Sequence, residues 1–392
     1  MNNFTLRLPT KVVFGKDTET RVGEEIKACS AKKVLVHFGG GSAVKSGLLA
    51  RVYASLDAAG IPFVNLGGVK ANPMLSLVRE GVALCRREGV DFILAVGGGS
   101  VIDSSKGIAY GLAHDFDVWE LFAQRQKATG ASPIGCILTI AAAGSEMSTS
   151  TVLTNDDGMD KVGYSSEYVR PAFAIMNPEL TFSVPEYQSM SGAVDILMHT
   201  MERYFCNERD MFVTRMSEAL LVTVMEMARR VGQDPADYEA RAELMWTGSV
   251  SHNGLTGVGK TSDFASHQLE HELSGMFDVA HGAGLSAVWG SWARYVYKHD
   301  PVLFAQFAVR VMGVDMEYFD LEGTALKGIE AMEDFFRSIG MPTSIAELGV
   351  GRVSDEQIAV MVKKCSRQGR RKIGSFVKLD EEDMRRIYEM AR

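Results

Sequence analysis

The chain has 392 residues, more than one hydrophobic core normally fills, so two domains are expected. Apolar residues make up 46% and charged ones 23%, the balance of a soluble enzyme, and the net charge of −8 forms no basic stripe, which excludes nucleic acid as a main partner. Cys29, Cys85, Cys136, Cys206 and Cys365 lie far apart in neither a metal-ligand nor a disulfide spacing, which fits a reducing cytoplasm.

No basic run precedes an apolar core at the N-terminus and no window nears ~18 apolar residues, so neither a signal peptide nor a membrane span is expected. Residues 4–8 and 12–14 alternate as strand, turn, strand. Two strands alone are marginal in water and an exposed edge invites a second copy, so a homodimer is expected. Helical spacing covers 19–28. Then strand (34–38), glycine loop and helix follow one another, and the pattern repeats through a strand at 63–66, a helix at 75–87 and a buried strand at 92–96. Another glycine loop and a helix at 101–112 complete it. Strands alternating with helices across short loops predict a Rossmann-like parallel sheet covered on both faces.

Residues 134–176 turn strand-rich, with Asn155-Asp-Asp157-Gly158 as a turn. After Pro178 nearly everything has helical period. The expected fold is therefore an α/β dinucleotide-binding domain over 1–180 and an all-helical metal-binding domain over 181–392.

Both glycine loops, Gly39-Gly40-Gly41-Ser42 and Gly97-Gly98-Gly99-Ser100, lead into helices. Glycine lets backbone N–H groups approach phosphate oxygens, and the helix start adds partial positive charge. A tight strand-to-helix turn would use glycine equally well, and neither loop is a Gly-x-Gly-x-x-Gly fingerprint. The second loop ends the most apolar strand, near the expected sheet centre. The first sits where an acidic residue often meets the adenine ribose 2′-hydroxyl. No carboxylate follows here, and Ser42 and Lys45 are offered to an anion instead.

Five of the eight histidines, His199, His252, His267, His271 and His281, fall in one stretch. Asp195 and His199 share a helix face, as do His267 and His271, and His281 follows before Gly282 and Gly284. A lone Asp–His pair at this spacing is usually a surface pair. Here Leu197, Met198, Leu269 and Leu273 make the faces apolar, so each polar group needs a partner. One carboxylate and several imidazoles make a cage for a divalent cation.

The assembled motifs resemble the iron-containing (group III) alcohol dehydrogenases, most nearly their NADP(H)-preferring butanol-dehydrogenase branch. They are Lys11-Val-Val-Phe-Gly15, Val69-Lys-Ala-Asn72-Pro73, Gly97-Gly-Gly-Ser100-Val-Ile-Asp103-Ser-Ser-Lys106, Gly144-Ser-Glu146-Met, Gly192-Ala-Val-Asp195-Ile-Leu-Met-His199, His267-x-x-x-His271-Glu-Leu and His281-Gly282. The resemblance implies metal ligands at Asp195, His199, His267 and His281, and a proton-relay histidine at His271. It places phosphate contacts at Gly98, Gly99 and Ser100, and further cofactor contacts at Asn72, Asp103, Thr139, Ser145, Lys161 and Leu180. NAD-preferring relatives carry an Asp near Gly39. Its absence, with Gly39, Gly40 and Ser42 in its place, points to NADP(H). The family usually has Thr-Thr-Ala-Gly-Thr before Gly-Ser-Glu, where this chain has Thr139-Ile-Ala-Ala-Ala143 and so lacks a hydroxyl at Ala143. A nitrogen–oxygen site accepts Fe²⁺ or Zn²⁺. The expected function is hydride transfer between NADP(H) and a small primary alcohol or aldehyde such as butanol/butanal. A polyol or glycerol dehydrogenase, a dehydroquinate-synthase-type enzyme and a catalytically silent cofactor-binding protein are the alternatives on this fold.

Overall fold

The computed structural model describes residues 1–392, which divide into two compact units. One comprises Arg7–Val184; the other comprises Pro185–Arg392 together with Met1–Leu6.

The first unit runs β1 (Lys11–Phe14), α1 (Val22–Ala28), β2 (Val34–Gly39), α2 (Ser42–Lys45), α3 (Leu48–Ala58), β3 (Phe63–Val69), α4 (Leu75–Glu88), β4 (Phe92–Gly97), α5 (Gly99–Ala113), α6 (Trp119–Phe122), β5 (Ile134–Leu138), β6 (Ser150–Asn155), β7 (Asp160–Ser165) and β8 (Phe173–Met176). Six strands form one parallel sheet in the order β1-β8-β5-β4-β2-β3, and β6 and β7 pair antiparallel apart from it. β4 is buried along its whole length, as a strand covered on both faces must be. Alternate residues serve opposite cores. Val34, Val36, Phe92, Leu94 and Val96 pack on the α1 and α3 side, and Leu35, Ile93 and Ile134 pack with Leu75, Val78 and Ile108 on the other. The chain leaves β2 outward to β3 and returns to β4 on β2's other side, so β2 and β4 flank the switch point of the sheet. In open α/β sheets ligands bind beyond the carboxyl ends of the strands at such a point. Both glycine loops lie there.

The expected strand over 4–8 does not form. Asn2 instead ties the terminus to the helical unit, its N–H donating to the Gly259 carbonyl (2.8 Å) and its amide to Glu208 (2.7 Å). Phe4, Leu6 and Leu8 are left exposed. β1 does form, pairing parallel to β8 at the sheet edge rather than with a neighbouring hairpin strand.

The second unit contains α7 (Glu186–Tyr204), α8 (Phe212–Gln233), α9 (Tyr238–His252), α10 (Ala265–Phe277), α11 (His281–Val296), α12 (Pro301–Arg310), α13 (Leu321–Ser338), α14 (Asp355–Cys365) and α15 (Glu381–Ala391). α7 is its axis: every residue from Ser189 to Tyr204 is buried, with α8, α9 and α11 packed around it. The start of α11 crosses α7 so closely that a Cβ on Gly282 would lie 1.9 Å from the Ser191 carbonyl oxygen. That contact places His281 beside Asp195 and explains the glycine after the histidine. From behind, the Tyr388 hydroxyl donates to the Leu269 carbonyl (2.7 Å), fixing α10 on the C-terminal helices. No helix is long and apolar enough to cross a membrane.

Candidate metal centre and nucleotide loops

Asp195, His199 and Glu202 occupy one stripe of α7 at i, i+4 and i+7, and all three are buried. His267 comes from α10 and His281 from the first turn of α11. Asp195 Oδ1 lies 3.6 Å from His267 Nε2 and 3.7 Å from His281 Nε2, and the donor atoms of these three residues are within 4.8 Å of one another. His199 sits beside this trio. Its Nδ1 donates to the Asp195 carbonyl (2.9 Å) and lies 2.9 Å from Asp195 Oδ1, while its ring is 4.5 Å from that of His267.

Two observations fit a divalent cation. Asp195 Oδ1 and His267 Nε2 are buried with no hydrogen bond aligned on them, which is costly unless a partner is supplied. Each imidazole also turns its far nitrogen onto a buried carboxylate, His267 Nδ1 to Glu202 and His281 Nδ1 to Glu270. Such carboxylate–histidine pairs orient metal-binding imidazoles and raise their basicity. Burial alone would keep the Asp195 carboxyl protonated, but His199 and His281 outweigh it and hold Asp195 well below the usual carboxylate range. Burial likewise works against a charged His267, and Glu202 and Asp195 overcome it, holding the imidazole up at about 9.

His271, half-buried on α10, is set apart from this trio. Its ring is 5.8 Å from that of His281 and 6.5 Å from that of His267, and it groups with Glu270 and His281. Leu197, Met198, Leu269 and Leu273, which the sequence places near the site, are fully buried, as is Trp289. Trp289 packs on Phe307 and Phe336 and belongs to the helical core.

Sequence reading missed Glu202, Glu270, Arg203 and Phe264. Glu202 was detectable in principle, since a carboxylate on the apolar stripe of Asp195 and His199 needs a reason. Nothing local marked Glu270, whose partner His281 lies on another helix.

In the first unit, Gly98 starts α5 and leaves no room for a side chain: a Cβ there would lie 2.2 Å from Ile140 Cγ2. A Cβ on Gly99 would lie 3.6 Å from the Ala143 Cβ, an ordinary contact. Ser100 is half-buried in the first turn, and the Thr139 N–H donates to the Gly97 carbonyl (3.2 Å), holding the end of β5 against this loop. Asp103 and Ser145 spend their side chains inward. The Ser145 hydroxyl donates to Asp103 Oδ1 (2.6 Å), and the Val152 N–H donates to Oδ2 (2.9 Å). Lys106, wholly buried, donates to the Ser145 hydroxyl (2.9 Å) and to the carbonyls of Ser145 (2.8 Å), Ser148 (3.1 Å) and Ser150 (2.7 Å). At the first loop, a Cβ on Gly39 would meet only ordinary contacts, with nothing nearer than 3.5 Å, and one on Gly40 would meet nothing within 4 Å. Ser42 is exposed at the start of α2, with Lys45 exposed one turn on. Asn72 takes a left-handed backbone (φ 56) in the loop after β3, Lys161 lies on β7, and Leu180 packs on the β-sheet core.

The sequence matches the family described as "Iron-containing alcohol dehydrogenase" over residues 9–178 and "Fe-containing alcohol dehydrogenase family, C-terminal" over 189–392. It is 38% identical to a probable NADH-dependent butanol dehydrogenase of Bacillus subtilis, covering 98% of both chains. It is 34% identical to an NADPH-dependent aldehyde reductase of Escherichia coli, covering 100% of both. The crystal structure of an NADH-dependent butanol dehydrogenase from Thermotoga maritima superposes with a TM-score of 0.96 at 38% identity, covering 100% of this chain and 99% of that one.

Proposed function

This chain belongs to the iron-containing alcohol dehydrogenase family and is an oxidoreductase of alcohols and aldehydes, and we propose that it interconverts small primary alcohols and aldehydes, such as butanol and butanal, with NADP(H) preferred over NAD(H). The observation that carries the metal part is the buried Asp195–His267–His281 trio, whose two orphaned atoms face one another across 3.6 Å. With His199 it makes four ligands for one Fe²⁺ or Zn²⁺. A cation so held supplies Lewis acidity to a carbonyl or alkoxide oxygen, and the nicotinamide supplies or accepts the hydride.

The remaining roles belong to this chain's own side chains. Glu202 and Glu270 fix the tautomer of His267 and His281, so that each presents Nε2. His271 exchanges the substrate proton with solvent. Gly98, Gly99 and Ser100 receive the pyrophosphate at the start of α5. Asp103 and Ser145 act through the loop that Lys106 holds in place. Asn72, Thr139, Lys161 and Leu180 complete the cofactor contacts. Gly39, Gly40 and Ser42 leave room and hydrogen-bond donors for a 2′-phosphate.

Curated relatives bear both NADH-dependent and NADPH-dependent names, so cofactor choice rests on the first loop alone. We place the protein in the cytoplasm, in keeping with five free cysteines. It forms a homodimer through the exposed β1 edge, on which Phe14 is exposed. The deciding experiment is steady-state assay of metal-reconstituted protein with C2–C8 aldehydes and polyols, each with NADPH and NADH. Highest kcat/KM on a C3–C5 aldehyde with NADPH is expected. Preference for a polyol moves the enzyme to the polyol branch, and no turnover with any pair rejects the catalytic assignment.

A further inference from the structure

Phe264 stands three residues before His267 in a conformation that phenylalanine rarely adopts. Its backbone is left-handed (φ 56, ψ 19), at the residue that opens α10. Glycine or asparagine would satisfy such a turn without strain, and a bulky residue persists there only where its surroundings impose it. The surroundings do so on both sides. The Asp263 N–H donates to the Glu202 carbonyl (2.8 Å), and the Asp263 carboxylate accepts from the N–H groups of Ala265 (3.2 Å), Ser375 (2.7 Å) and Phe376 (2.8 Å).

What the strained backbone presents is the ring. It stands edge-on to His267 at 5.3 Å and to His199 at 6.1 Å. The guanidinium of Arg203 lies over it at 4.9 Å, a cation–π contact made by a buried side chain, and the same guanidinium donates to the His199 carbonyl. Phe264 thus joins α7 and α10, the two helices that bring Asp195, His199 and His267 together. His199 has the Asp195 carboxylate 2.9 Å from its Nδ1, on its own helix, whereas His267 and His281 each meet a carboxylate that is not itself a proposed ligand. Its ring is bounded by His252 at 4.0 Å, His267 at 4.5 Å and Phe264.

We propose that Phe264 is a positioning residue of the metal centre: its ring, aimed by a left-handed backbone, orients the His199 and His267 imidazoles for the cation. This rests on the metal-centre reading above. A residue serving only the core would be indifferent to metal.

The test uses full-length Phe264→Gly, Phe264→Asn and Phe264→Tyr, measured metal-free and loaded with Co²⁺. Gly and Asn relieve the backbone and delete the ring, whereas Tyr keeps it. Co²⁺ binding in Phe264→Gly and Phe264→Asn should weaken at least about tenfold, the usual effect of losing a group that orients a ligand. The visible d–d spectrum should change in both variants, metal-free Tm should stay near that of the unaltered protein, and Phe264→Tyr should keep affinity and spectrum. Unchanged affinity and spectrum in Phe264→Gly and Phe264→Asn overturn the proposal. So does a loss of affinity matched by an equal loss of metal-free stability. His267→Ala is the control. If it binds Co²⁺ normally, the metal-centre reading itself fails, and Phe264 has nothing to position.

Discussion

A carboxylate as deeply buried as Asp195 stays ionised only because imidazoles surround it, and each imidazole is held by a second group. His267→Ala removes one proposed ligand, and two packed helices cannot close the gap. Elemental analysis should show metal content falling sharply and turnover with it; wild-type stoichiometry would strike His267 from the ligand set. Glu202→Gln keeps the shape but weakens the acceptor behind His267, so metal should bind about 10–100-fold less tightly. His271 stands apart from the trio, and His271→Ala should keep its metal while turnover falls ~10²–10⁴-fold and the pH profile changes. Metal loss in that variant but not in His267→Ala means the two roles are exchanged. In the other unit, Gly39 can carry a side chain without displacing a neighbour. Gly39→Asp should therefore fold and reverse the preference for NADPH. Differential binding of ~2 kcal/mol corresponds to about a thirtyfold ratio. Equal or better kcat/KM with NADH in the unaltered protein rejects the NADP(H) assignment and leaves the dehydrogenase intact.

At the scale of elements, the β4–α5 corner depends on a missing atom. A methyl on Gly98 would overlap Ile140, so Gly98→Ala must shift the loop. KM for the cofactor should rise several-fold with metal content unchanged; an unaltered KM would show that this loop does not hold phosphate. One strand away, His37 ties three elements: Nδ1 donates to the Leu66 carbonyl of β3 (2.8 Å) and Nε2 accepts from Ser104 of α5 (2.8 Å). Burial keeps its pKa down at about 4, against 6.5 when exposed. Above pH 6.5 both folded and unfolded states are neutral here, so the group adds no pH dependence. Below it the unfolded chain takes up the proton first, and stability falls until the folded imidazole is protonated near pH 4. The loss is about 2 kcal/mol at pH 5. Denaturant titrations from pH 7.5 to 4.5 should show this acid limb, and it should be missing in His37→Gln.

For the whole molecule, cation binding and folding are linked. Metal at about 100 times its dissociation constant adds about 2.7 kcal/mol of stability, so chelation should lower Tm and metal restore it. Sedimentation at micromolar concentration should give the mass of two chains, and a stable monomer would reject pairing at the β1 edge. Much of this was legible in the chain. The buried run of β4 and the alternation of strands and helices specify a covered parallel sheet, because periodicity and short connections are local properties. Asp195–His199 and His267–His271 announced themselves because i, i+4 spacing puts side chains on one helix face. Other features depended on approach between distant segments. Glu270 behind His281 and Arg203 over Phe264 pair residues from different helices, and no spacing encodes the meeting. The N-terminal alternation read as a strand, yet residues 4–8 form none, since a strand needs a partner edge that local sequence does not supply. Sequence thus determined the candidate ligands on each helix face; packing decided which of them touch, because a side chain's neighbours across helices are set by how closely their backbones approach, as Gly282 against Ser191 does for His281.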